Sequence, residues 1–155
     1  IIAVINDSAL SSGYYVAAST NKIYAVRSAK IGNIGEVFAD VNRSRNGQEQ
    51  FCYVTDSNYK SITIANCQGF EQDVFNFMKH YVETTHDILI SQIKQMRKLS
   101  TDLDYLSNKT LTSEEALKLG LIDEIGNTDD AVKWLESQLG TKLYIINLKE
   151  MLNEK

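Results

Sequence analysis

The opening eighteen residues constrain the fold more than any other stretch. Ile1-Ile2-Ala3-Val4-Ile5 is an unbroken apolar run closed by Asn6-Asp7-Ser8. A short run of this kind, bounded by turn-forming residues, predicts a strand buried on both faces. Residues 9–18, Ala-Leu-Ser-Ser-Gly-Tyr-Tyr-Val-Ala-Ala, are mostly small and predict the start of a helix packed tightly on that strand. A buried strand feeding directly into a helix is the beginning of an α/β architecture.

The rest of the chain alternates in the same way. Lys22-Ile23-Tyr24-Ala25-Val26 reads as a second short strand, and Ile31-Gly32-Asn33-Ile34-Gly35 as a glycine-punctuated turn into Val37-Phe38. Residues 42–50 are polar and predict an exposed loop. Phe51–Thr55 and Ile62–Ile64 are β-rich. From Glu71 to about Lys98, apolar residues recur at spacings of three and four, which predicts a long amphipathic helix. Thr112-Ser113-Glu114-Glu115 is a capping box opening a short helix that Gly120 stops. A further helix is expected over Asp129–Leu139, ending at Gly140, and a last strand over Leu143–Ile146. Neither a repeat nor a change of composition divides the chain, so residues 1–155 read as one domain.

Composition narrows the function classes. Hydrophobic residues make up 43% and charged residues 23%, the balance of an ordinary globular protein. A formal charge of −4 and a pI near 5.2 argue against nucleic acid as a partner. No apolar run approaches the roughly 20 residues of a membrane-spanning helix. The chain opens in what reads as mid-strand, with neither Met nor a leader pattern, so it is expected to be part of a longer protein. Cys52 and Cys67 are too few for a disulfide framework or a metal quartet and are read as buried thiols. The absence of proline has no physical reading here.

Ser11 is the first candidate for chemistry. A serine between a strand and a helix can gain from the free N–H groups of the first helical turn, which stabilise an oxyanion. Ala9, Ser12 and Gly13 beside it are small enough to admit a substrate backbone. By pattern alone the ordinary role of such a serine is an N-cap. A nucleophilic serine also needs a base. His80 and His86 both fall inside the long amphipathic segment and read as solvated or rim histidines. Lys60 stands between two β-rich segments, where its plain reading is an exposed hairpin lysine. No HExxH, paired Cys-x-x-Cys, calcium loop or phosphate-binding glycine motif occurs, so neither a metal nor a cofactor is expected.

Three blocks resemble the signal peptide peptidase A (protease IV) family, within the wider ClpP/crotonase-like fold. Ala9-Leu10-Ser11-Ser12-Gly13-Tyr14-Tyr15-Val16-Ala17, followed by Asn21-Lys22-Ile23-Tyr24-Ala25, is similar to that family's nucleophile motif and the D-K-I-Y-A after it. Ile31–Gly35 resembles its T-G-S-I-G turn. Leu111–Asp130 resembles its C-terminal block E-A-L-x-L-G-L-V-D-E-L-G-x-x-D-D. Departures are Ser12 in place of the family's glycine and Asn33 in place of its serine.

The resemblance implies an α/β fold of repeated ββα units, here the C-terminal part of a longer chain. It implies a serine endopeptidase with Ser11 as nucleophile and Lys60 as general base, since Asn58-Tyr59-Lys60-Ser61 is similar to the family's lysine segment. Ser12 and Gly13 would then serve the oxyanion, and Asn33 would support the base. The implied substrates are remnant signal peptides or other unfolded hydrophobic segments, and the implied assembly is a homo-oligomer sharing its site between protomers. The intact protein would belong to a bacterial cell envelope or membrane, with a phage origin as the other source. Three further readings compete: a ClpP-like Ser/His protease, a non-catalytic assembly module such as a phage capsid-associated relative, and an acyl-CoA-binding crotonase.

Overall fold

The computed structural model describes residues 1–35, 37–43, 49–57, 61–65, 71–99, 103, 106 and 109–146. Two ββα units follow one another. The first is β1 (Ile2–Ile5), β2 (Ser8–Leu10) and α1 (Ser12–Ala18). The second is β3 (Lys22–Ala25), β4 (Lys30–Gly32) and α2 (Gln72–Arg97). An antiparallel meander, β5 (Val37–Arg43), β6 (Glu49–Ser57) and β7 (Ser61–Ala65), is inserted between β4 and α2. The chain continues through β8 (Thr110–Thr112), α3 (Ser113–Lys118), β9 (Glu124–Ile125) and α4 (Thr128–Leu139).

Pairing makes the repetition explicit. β1 lies parallel to β3, with Ile2 opposite Lys22 and Ile5 opposite Ala25. β2 lies parallel to β4, with Ser8 opposite Lys30 and Leu10 opposite Gly32. Each strand of the first unit thus pairs with its counterpart in the second. β9 adds to β3 in parallel and β8 to β4 antiparallel. This is the α/β arrangement of repeated ββα units expected from the sequence.

The main core gathers Tyr14, Ile23, Ile31, Ile34, Leu121 and Ile122 around the C-terminal half of α2, which contributes Ile90 and Ile93. Met78 and Val82, in the N-terminal half, are buried where α2 packs on β6, together with Val54, and lie outside that cluster. One helix therefore serves two packing regions. Tyr14 is fully buried yet satisfied, its hydroxyl donating to the Leu121 carbonyl at 2.8 Å. Burial holds that phenol well above the usual tyrosine range, so it stays a donor. Arg97, with a side chain 7% exposed, donates to Asp123 at 2.7 Å and to the Gly120 carbonyl, while Asp123 accepts from the Ile23 amide at 2.7 Å. The end of α2 is tied in this way to the loop carrying Leu121.

Capping follows chemistry legible in the sequence. Thr112 and Glu115 form the reciprocal capping box of α3, and Gly140 closes α4 with a left-handed φ of 66°. The N-cap of α4 is Asn127, which accepts from the amides of Asp129 and Asp130.

Several expectations are corrected. Ala9 and Leu10 are not helical but strand, because parallel pairing with Ile31 and Gly32 overrides their helix preference. Ile31 and Gly32, expected in a turn, are strand for the same reason. β1 is half-buried rather than covered on both faces, since it stands at the end of the β1–β3–β9 order and only Ile5 is buried. Within the expected loop at 42–50, Asn42, Arg43, Glu49 and Gln50 are paired strand residues, and 44–48 lie outside the described residues. Leu143–Ile146 form no strand: Tyr144 is 94% exposed and no ladder partner is found for them among the described residues. Cys67 lies outside the described residues, and Cys52 is placed only as a backbone position in β6.

Candidate active site

Ser11 occupies the single residue between β2 and α1, and its backbone is strained. Its φ of 50° and ψ of −122° fall where glycine is at home and an L-residue is not. Such outliers persist only where the surroundings over-determine them. Here they do. The Ser11 amide donates to the Gly32 carbonyl at 2.9 Å, continuing the β2–β4 ladder. The Ser11 carbonyl accepts from Tyr14 and Tyr15 at 3.0 and 3.1 Å, opening α1. One residue must satisfy a strand on one side and a helix on the other, and the positive φ makes that turn.

The side chain is not used for capping, as it accepts no hydrogen bond from the helix amides. Ser11 holds the N-cap position of α1, as the pattern predicts, but without the side-chain bond of a capping serine. Ser11 lies on the wall of a pocket of about 370 Å³. Ser11, Ser12 and Tyr15 line one side, and Thr85, Ile88, Leu89 and Gln92 of α2 line the other. None of the seven carries a charge. Tyr15 donates to Gln92 Oε1 at 2.7 Å, joining the two walls. Ser12 and Gly13 are exposed in the first turn of α1, where a helix has no acceptors for its own amides. Space beside Gly13 is open.

Gly32 and Asn33 support this turn from below. Gly32 has a φ of 111°, and a Cβ there would stand 2.7 Å from the Lys109 carbonyl oxygen. Asn33 is left-handed, with φ 47°, a conformation asparagine tolerates better than most residues. Its amide donates to the same Lys109 carbonyl at 2.6 Å. The structure thus places Ser11 and Ser12 at the pocket, with Gly13 next to them in the first turn of α1 but not lining it, and Asn33 one residue from the carbonyl that holds Ser11.

Lys60 lies outside the described residues, as do Asn58 and Tyr59. Its frame is described. Ser57 and Ser61 are register partners at the end of the meander where Val37 opposes Thr55, and Val37 follows closely on the Asn33 turn. Thr85 lines the pocket while His86, its neighbour on α2, does not, and His80 is exposed.

The sequence reading missed the pocket's second wall. The spacing 85, 88, 89, 92 is plainly one helix face, but no periodicity tells which partner that face meets. Among the described residues no group of three or more His, Cys, Asp or Glu could hold a metal, and no helix is long and apolar enough to cross a membrane.

Comparison with known proteins adds a family. Residues 1–142 match the model of peptidase family S49. A protein of Enterococcus faecium named "Putative signal peptide peptidase SppA" is 24% identical over 144 residues, which are 89% of this chain and 41% of that protein. "Protease 4" of Salmonella typhi is 26% identical over 136 residues, 85% of this chain and 22% of its own length. The chain spans less than half the length of either. Among solved structures, a mutant of the 1510-N membrane-bound stomatin-specific protease aligns with a TM-score of 0.47 and 22% identity, over 84% of this chain and 53% of that one.

Proposed function

The chain belongs to peptidase family S49, and from that premise we propose that it is the nucleophile-bearing part of a serine-type peptidase working through a Ser11/Lys60 pair. The observation that carries the reading is the strained Ser11 backbone at a strand–helix turn, on the wall of a pocket with no charged lining residue. A residue that only capped α1 would need no such strain. Membership of the family supports hydrolysis of a peptide bond as the reaction.

In the proposed reaction the neutral Lys60 amine takes the Ser11 hydroxyl proton as Oγ attacks the substrate carbonyl carbon. The carbonyl oxygen becomes an oxyanion, which the first-turn amides of Ser12 and Gly13 receive. α1 has only seven residues, so individual N–H groups rather than a long helix dipole do this. Collapse breaks the C–N bond, and the Lys60 ammonium returns its proton to the leaving amine. Water, deprotonated by the same amine, then releases the acyl group and restores Ser11. Lys60 is proposed as the base on the family resemblance of its segment, and Asn33 would orient it. Remnant signal peptides or other unfolded hydrophobic segments are the proposed substrates. A homo-oligomer completing its site between protomers, within a longer polypeptide, is the proposed assembly.

The test is reaction with a fluorophosphonate in the complete protein. Labelling is expected in the wild type and lost in Ser11→Ala and Lys60→Ala. Persistence of labelling in Lys60→Ala would remove Lys60 as the base, and an unlabelled wild type would remove the serine mechanism.

A further inference from the structure

Resting on the peptidase reading, we propose that Tyr14 is a positioning residue for the reaction. Its buried hydrogen bond to the Leu121 carbonyl sets the rotation of α1, and with it the direction of the Ser12 and Gly13 amides beside Ser11. α1 has only seven residues, none of them charged, and no side-chain cap. A helix so short does not hold itself and takes its place from tertiary contacts. Of its three buried residues, Ala17 and Ala18 allow close approach but carry no directional group. Tyr14 carries one.

The point that Tyr14 reaches is itself secured by α3, α2 and β3. The Gly120 and Leu121 amides donate to the Leu117 and Ala116 carbonyls at 3.0 and 2.9 Å, closing α3. Arg97, at the end of α2, donates to the Gly120 carbonyl and to Asp123. The Asp123 amide donates to the Ile23 carbonyl at 3.0 Å, and its carboxylate accepts from the Ile23 amide at 2.7 Å. Tyr14 adds α1 to this hub at 2.8 Å. Its own amide donates to the Ser11 carbonyl at 3.0 Å. One residue therefore runs from the hub to the backbone of the candidate nucleophile, and the Ser12 and Gly13 amides lie on the short stretch of chain it closes. Tyr15, turned from Tyr14 by about 100° around the helix, donates instead to Gln92 on the pocket side. α1 can yield toward the pocket there, while its buried side turns about a fixed point.

The test follows fluorophosphonate labelling of the complete protein against reagent concentration, which separates the maximal rate from the half-saturating concentration. Tyr14→Phe removes only the hydroxyl. Ser113→Ala is its comparison, removing another buried hydroxyl, one that donates to the Val26 carbonyl at 2.7 Å and lines no part of the pocket. Both should lower the denaturation midpoint, since each takes the donor from a carbonyl. At a temperature where circular dichroism shows both folded, Tyr14→Phe should label with a maximal rate about tenfold lower at unchanged half-saturation, because misdirected donors cost rate rather than binding. Ser113→Ala should label as the wild type does. Tyr14→p-aminophenylalanine, which keeps a donor on the ring, should label at a rate between those of Tyr14→Phe and the wild type. It carries the test if Tyr14→Phe does not fold, a wild-type rate then overturning the proposal. A wild-type maximal rate in Tyr14→Phe, an equal loss in Ser113→Ala, or a change in half-saturation alone also overturns it. A wild type that does not label refutes the peptidase reading itself, and the positioning role with it.

Discussion

The amide of Ser11 donates to the carbonyl of Gly32 at 2.9 Å, so the position of the candidate nucleophile is set by a residue that does not line its pocket. Gly32 is itself fixed by its positive φ and by the Lys109 carbonyl against its Cα. The ladder and the turn are one object.

Gly32→Ala should therefore damage both stability and reactivity. The added Cβ meets backbone, not a side chain that can swing away, and φ 111° is hostile to alanine. A loss of about 2–4 kcal/mol is expected, read from urea unfolding, with fluorophosphonate labelling slowed beyond what the residual folded fraction explains. Wild-type labelling in a protein of unchanged stability would disprove the coupling.

Strain at Ser11 makes an opposite prediction. Ser11→Gly relieves the positive φ while Ser11→Ala keeps it, so the glycine variant should be more stable than the alanine variant by about 1 kcal/mol. Neither should label. Equal midpoints in denaturant for the two would mean that the backbone at this position is relaxed.

Arg97 anchors the end of α2 from a nearly buried position. Arg97→Met leaves Asp123 and the Gly120 carbonyl without their donor. The expected cost is about 2–4 kcal/mol, below the full penalty of a buried pair because Asp123 is partly exposed. Asp123→Asn should be milder, since an amide oxygen still accepts from Ile23. Circular dichroism through a urea titration of both variants measures the order.

Acid should weaken two local contacts in a defined direction. The Glu115 carboxyl is held below the usual range by the hydrogen bonds it accepts from the Thr112 backbone and hydroxyl. Glu124 is held low by the hydrogen bond from Lys22, whose ammonium also lies over the Trp134 ring at 4.4 Å. A lowered folded value means these contributions are complete above the ordinary glutamate range and vanish as pH falls through the lowered value. The difference in melting temperature between wild type and Glu115→Gln or Glu124→Gln should be constant above about pH 5 and shrink below it. A difference growing toward acid would reverse the sign of the argument.

Much of the fold was legible because local chemistry and tertiary structure agree. Thr112 and Glu115 announce their helix, Gly140 ends another, and the spacing from Val74 to Met96 carries α2 almost to its true limits. Ala9, Leu10 and Ile31 were misread because strand pairing, a contact between distant residues, decided them. Leu143–Ile146 failed for the reverse reason: four strand-forming residues make no strand without a ladder partner, and none is found among the described residues. At the site, the strand-to-helix position of Ser11 could be read, but its backbone strain could not. A positive φ in a serine leaves no trace in composition, and Thr85, Ile88 and Gln92 look like any helix face until α1 lies opposite. Lys60 rests on resemblance alone, outside the described residues.

Seating the two halves of α2 in separate cores has a consequence for how the pocket adapts. Thr85 and Ile88 sit between anchors at Met78 and Val82 on one side and Ile90 and Ile93 on the other, and Gln92 stands within the second anchor. That wall cannot breathe by local fraying, because a helix held at both ends opens only when one core lets go. Amide exchange across residues 85–92 should then be as slow as that of the helix's buried turns. Accommodation of differently shaped side chains falls to rotamers and to the short α1, making the nucleophile's own helix the compliant partner and the long one the template.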